Sequence, residues 1–164
     1  MRFGIVCISD RCSSGQCEDR SGKLLEELVA PLSDESLYCL VPDDLQKIEK
    51  TLMQLADDEH VDIVLTTGGT GFAPRDVTPE ATKAVIDREA PGISEAIRAK
   101  SLSVTPNAML SRAVSGIRGK TLIINLPGSP KAVRESLEVV LPVLPHAVEM
   151  LSGNTLNCGG TYGK

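Results

Sequence analysis

The chain has 164 residues, with 17 Lys and Arg against 22 Asp and Glu, for a net charge of −5; hydrophobic residues make up 41%. That length and apolar content describe one globular domain and exclude a disordered chain. The acidic balance and an aromatic content of 2% exclude a general nucleic-acid binder, which needs a basic face or stacking platforms, and no apolar run approaches the roughly 20 residues of a membrane span.

Taken in chain order, Phe3 to Ile8 is nearly all apolar, as a strand covered on both faces would be. The segment MRFGIVCISDR turns polar by Ser9, too soon for a secretory signal, and the chain is read as cytoplasmic. Ser9 to Gly15 reads as a polar loop. Leu24, Leu25, Leu28, Val29 and Leu32 recur at helical spacing and predict a helix over 19–32. Leu37 to Val41 is a second strand. Pro42 opens a helix with Leu45, Ile48, Leu52 and Leu55 on one face. Val61 to Leu65 is a third strand, running into Thr66-Thr67-Gly68-Gly69-Thr70-Gly71. Thr78-Pro79-Glu80 reads as an N-cap, a proline at the first helical position and an acid in the first turn, with the helix continuing to about Arg88. A further helix spans Ile93 to Leu102, and strands follow at Ala113–Ile117 and Thr121–Leu126. A last helix carries Val133, Leu137, Val140, Leu141, Leu144 and Val148, broken at Pro142 and Pro145. Residues 152–164 lack an apolar period and read as a flexible tail after a single domain over 1–151.

This alternation predicts a three-layer α/β sandwich with a mostly parallel central sheet. In such a sheet, ligands bind beyond the carboxyl ends of the strands. Five cysteines, Cys7, Cys12, Cys17, Cys39 and Cys158, form an odd set without zinc-ligand spacing and are read as reduced thiols.

The strand ends carry the candidate chemistry. Gly68, Gly69 and Gly71 allow backbone N–H groups to converge on an anion, with hydroxyls from Thr67 and Thr70; a tight turn needing positive φ is the plainer alternative. The loop is neither a dinucleotide fingerprint nor a P-loop, since Pro74 stands where the former has its third glycine. Arg75 can fork onto phosphate oxygens and Asp76 can hold a divalent metal, or the two can form a surface ion pair. Asp43 follows the second strand and either caps the next helix or presents a carboxylate to substrate or cation. Ser9, Asp10 and Arg11 end the first strand, and Ser13 and Ser14 add hydroxyls. Asn125, Pro127, Gly128 and Ser129 end the last strand where a helix begins, either an anion seat or an ordinary turn. No Ser-His-Asp or Cys-His set emerges, whereas phosphoryl-type transfer needs mainly positioning and charge.

The segments TTGGTGFAPRDVTPEAT and SRAVSGIRGKTLIINLPGSP, with ISDRCSSG and VPDD, closely resemble the molybdopterin adenylyltransferase family, including the matching domains of the plant cofactor protein and of gephyrin. The resemblance runs from about Phe3 to Leu151. It implies a three-layer α/β fold, a homotrimer, and adenylyl transfer from Mg²⁺-ATP to molybdopterin with release of pyrophosphate, followed by a separate molybdenum-insertion enzyme that uses the product. It implies that Asp43 and Asp76 are the two key aspartates and that the glycine loop, the SDR loop, Ser111 of the SR motif and the LPGSP turn line the pocket. A trimeric scaffold and a domain that binds pterin without transferring AMP are the competing readings.

Overall fold

The computed structural model describes residues 1–153. Six strands form one sheet: β1 (Arg2–Ile8), β2 (Glu35–Val41), β3 (Ile63–Thr67), β4 (Arg88–Glu89), β5 (Ser115–Arg118) and β6 (Thr121–Leu126), in the order β2-β1-β3-β6-β5-β4. The pairs β1·β2, β1·β3 and β3·β6 are parallel, while β5 runs antiparallel to both its neighbours. The helices are α1 (Asp10–Ser13), α2 (Ser21–Val29), α3 (Leu45–Met53), α4 (Thr78–Val85), α5 (Pro91–Leu102), α6 (Pro130–Val140) and α7 (Leu144–Ser152). None of the described helices is long and apolar enough to cross a membrane.

The three layers follow from side-chain alternation. Phe3 and Ile5 of β1, Ile63 and Leu65 of β3, and Leu122, Ile124 and Leu126 of β6 face one side, packing with Leu25 and Val29 of α2, Ile97 of α5, Leu137 of α6 and Leu144 of α7. Val6, Ile8, Val64 and Ile123 face the other side against Ile48 and Leu52 of α3 and Ala81 and Val85 of α4. The expected three-layer, mostly parallel fold is what forms. Because α2 and α3 cover opposite faces, the chain reverses its winding between β1 and β3, and a crevice opens beyond their carboxyl ends.

Several local expectations change. The segment after Ser9 is not all loop: Ser9 Oγ accepts from the Cys12 amide at 3.2 Å and starts the short helix α1. This turn brings the Cα atoms of Cys12 and Cys17 to 4.7 Å, and the two are joined in a disulfide, against the reduced-thiol expectation; Cys7 and Cys39 are free, and Cys158 lies outside the described residues. The helix expected over 19–32 ends at Val29, followed by a 3₁₀ turn containing Pro31. The helix expected to reach Arg88 stops at Val85, because Arg88 and Glu89 join the sheet beside β5. Pro142 sits in a 3₁₀ turn between α6 and α7, the expected break. α7 runs to Ser152, and the tail expected over 152–164 lies, but for its first two residues, outside the described residues.

Candidate active site at the sheet switch point

Three loops meet at the crevice. The β3 loop turns sharply at Gly68 and Gly69, whose φ values are +104° and +64°. A Cβ on Gly68 would lie 2.3 Å from the Ile8 carbonyl, so only glycine lets this loop close onto the end of β1. Thr78 is not the N-cap of α4. Its hydroxyl donates to the Gly68 carbonyl at 2.9 Å and its amide to the Gly69 carbonyl at 3.1 Å, tying the loop to the helix. Among the described residues, the amides of Gly69, Thr70 and Gly71 donate no hydrogen bond, leaving them available to an anion.

Two carboxylates flank those amides. Asp43 Oδ1 would lie 3.1 Å from a Cβ on Gly69, and Asp76 Oδ2 2.8 Å from one on Gly71. Asp43 is not the cap of α3. Asp44 is, accepting from the Lys47 amide at 2.9 Å. Asp43 is locked instead to Asp10: its Oδ2 accepts from the Asp10 amide at 2.8 Å, and its own amide donates to Asp10 Oδ1 at 3.0 Å. Burial, and secondarily the neighbouring Asp10 and Asp76 charges, push the Asp43 carboxyl above the usual carboxylate range. Asp76 Oδ2 also accepts from the Ala73 amide at 3.0 Å. Arg75 crosses the crevice and forks onto Asp10, with both bonds at 2.9 Å, which holds the Asp10 carboxyl below its ordinary range.

Arg112, absent from the sequence-based candidates, stitches the loop from behind. Its Nε donates to the Gly71 carbonyl at 2.7 Å, another guanidinium nitrogen to the Asp76 carbonyl, and a third pairs with Glu80; its amide donates to the Thr70 carbonyl at 2.9 Å. The only signal in the sequence is its position beside Ser111, and nothing local connects it to residues some forty positions earlier.

Two clefts open on either side of the glycine loop. One, of about 340 Å³, includes Ser9, Cys12, Thr67, Gly68 and Gly128. The other, of about 260 Å³ and more apolar, includes Thr70, Gly71, Ile97, Ala108, Ser111 and Pro127. Gly128 approaches Gly68 so closely that its Cβ would sit 3.3 Å from the Gly68 Cα.

Some candidates are drawn elsewhere. Asn125 is fully buried, its amide group donating to Thr66 and Thr82 at 3.0 and 2.8 Å and its oxygen accepting from the Val114 amide at 3.2 Å, so it braces the sheet. Thr67 donates to the Pro127 carbonyl at 2.8 Å, and Ser129 caps α6. The hydroxyls of Ser13 and Ser14 bond back to the Asp10 carbonyl, and Arg11 is exposed on α1. Cys7 offers no nucleophile: burial, with Asp19 beside it, raises its thiol far above the ordinary range.

No three His, Cys, Asp or Glu side chains among the described residues form a ready-made metal cage. The donor set nevertheless suits a hard divalent cation that keeps one or two carboxylates and takes its other ligands from phosphates.

The sequence model for the "Probable molybdopterin binding domain" matches residues 4–146. The chain belongs to this family. Within the family it is 47% identical to a molybdopterin adenylyltransferase of Helicobacter pylori, over 94% of this chain and 89% of that protein. It is 45% identical to the molybdopterin adenylyltransferase of Escherichia coli K12, over 93% and 86%. The solved structure of the molybdopterin biosynthesis enzyme MoaB from Thermus thermophilus superposes with a TM-score of 0.85 at 50% identity, covering 93% of this chain and 96% of that one.

Proposed function

We propose that this family member transfers the adenylyl group of Mg²⁺-ATP to the phosphate of molybdopterin, releasing pyrophosphate, as a cytoplasmic homotrimer in molybdenum cofactor biosynthesis. The observation that carries the reading is the row of three unbonded amides at Gly69, Thr70 and Gly71, with a carboxylate at each end, in a chain nearly half identical to molybdopterin adenylyltransferases.

In this reading, the phosphate oxygen of molybdopterin forms a bond to the α-phosphorus of ATP as the bond to the pyrophosphate oxygen breaks. The loop amides hold phosphate oxygens, and Arg112 keeps the loop and Asp76 in register. The divalent cation, when bound with Asp43, Asp76 and the phosphates, supplies neutralisation of their charge. Ser111 and Pro127 wall the more apolar cleft, which suits a flat ring. Such transfer requires no protein nucleophile, in keeping with a protonated, buried Cys7.

Release of pyrophosphate from ATP on addition of molybdopterin is the direct test. Asp76→Asn keeps the side-chain size and removes the charge, and its turnover is expected to fall by roughly two orders of magnitude or more. Pyrophosphate release at the parent rate from that variant, at saturating Mg²⁺, removes Asp76 from the chemistry. Molybdopterin binding with no pyrophosphate release by the parent protein would instead select the binding-only reading.

A further inference from the structure

Asp10, Asp43 and Asp76 follow β1, β2 and β3 at the crevice, and they do not form a cation cage. Both Asp10 oxygens are taken: Oδ2 by Arg75 Nε, and Oδ1 by an Arg75 terminal nitrogen and the Asp43 amide. The guanidinium also lies within the field of Asp43 and Asp44, so it is a cation that faces the acidic edge of the crevice. Arg75 itself is mostly exposed, with a side-chain accessibility of 64%, and nothing but this fork holds it in place among the described residues. An exposed pair of this kind is weakly held and easily exchanged.

We propose that Arg75 is the resident counter-cation of the ligand-free site: it closes Asp10 to a divalent cation until a phosphate-bearing ligand draws the guanidinium away. The inference rests on the functional reading above in taking the incoming ligands to be a nucleotide and a divalent cation. A guanidinium fork fits two phosphate oxygens as well as two carboxylate oxygens, so the same side chain can exchange one partner for the other. On release, Asp10 regains a free carboxylate edge beside Asp43, while the phosphate brings its own negative charge. Nucleotide and cation therefore favour each other's binding, and the coupling is reciprocal. Arg75 acts here as a positioning residue, through Asp10.

The test is the affinity of the intact, nucleotide-free protein for Mn²⁺ alone, read by electron paramagnetic resonance or calorimetry, which requires no turnover. Arg75→Gln is expected to bind Mn²⁺ about fivefold to tenfold more tightly than the parent, the scale of one unit charge removed a few ångströms away in a largely aqueous setting. Arg75→Lys, which keeps the charge and loses the fork, is expected to fall between them. Asp10→Asn, which frees Arg75 but deletes a carboxylate, is expected to bind no more tightly than the parent. Equal or weaker Mn²⁺ binding by Arg75→Gln, with an unchanged melting temperature, overturns the proposal and leaves Arg75 a loop clamp; so does tighter binding by Asp10→Asn. Should Arg75→Gln melt lower, Arg75→Lys decides by the same comparison. Failure of adenylyl transfer in the parent protein refutes the functional reading separately, since the Mn²⁺ titration contains neither ATP nor molybdopterin.

Discussion

Asp43 and Asp44 are neighbours of the same type with different work, and substitution separates them. Asp44 caps α3, so Asp44→Ala should cost about 1 kcal/mol in chemical denaturation and leave adenylyl transfer intact. Asp43 caps nothing, so Asp43→Asn should abolish transfer without unfolding the protein, since an amide oxygen can still accept from the Asp10 amide. The pH dependence has a definite sign. The Asp43 carboxyl titrates above its value in the unfolded chain, because the fold disfavours its charge. Its contribution to stability is therefore fullest below the unfolded value, about 3.9, and is lost as pH rises through the raised folded value. Asp43→Asn, always neutral, should melt at or above the parent temperature at pH 7, with the difference closing as pH falls towards 4. A variant that melts lower at pH 7 and keeps normal transfer would return Asp43 to a structural role.

At the scale of elements, the glycine loop is held by parts distant in sequence. Gly68→Ala must both adopt a strained φ and displace the Ile8 carbonyl, and should cost roughly 1–3 kcal/mol from the backbone alone, measured by denaturant titration. Arg112→Lys keeps the charge but cannot bridge the Gly71 and Asp76 carbonyls while pairing with Glu80. The expected result is a fall in kcat of at least about tenfold with a smaller change in melting temperature, because the loop stays closed but loses its register. An unchanged kcat would show that the loop holds its own shape. The glycines were legible in the sequence, since few residues tolerate positive φ. Arg112 was not, because its partners are set by the packing of α4 against the loop. Thr78 misled for a related reason: Thr-Pro-Glu is a helix-start pattern, but here the hydroxyl finds the Gly68 carbonyl before it can cap.

For the whole molecule, the described chain leaves Phe72 and Met109 each 67% exposed and Leu110 49% exposed, with Leu110 and Gly71 on the walls of one cleft. Large exposed apolar side chains suit a surface that a partner covers. This supports the proposed homotrimer, and light scattering should return three times the mass of one chain; a monomer at micromolar concentration would refute it. The disulfide between Cys12 and Cys17 is likewise a product of folding, since α1 and the turn after it bring together two thiols that spacing alone left unpaired.

What the sequence determined by itself is the layered α/β fold and the strand ends that carry the candidate site. Apolar runs of strand length, apolar stripes at helical spacing and glycine or proline punctuation are local signals, and each survives because burial of the same side chains satisfies both the element and the core. The glycine loop and the acids after β1, β2 and β3 were visible for the same reason. Only the tertiary structure decided which acid caps and which faces the loop, which arginine closes Asp10 and which braces Asp76, and that Asn125 lies inside the sheet. Those roles depend on which strands become neighbours. The order β2-β1-β3-β6 places Asp10 beside Asp43, Gly68 beside Ile8 and Asn125 beside Thr66, and no periodicity in the chain encodes that order.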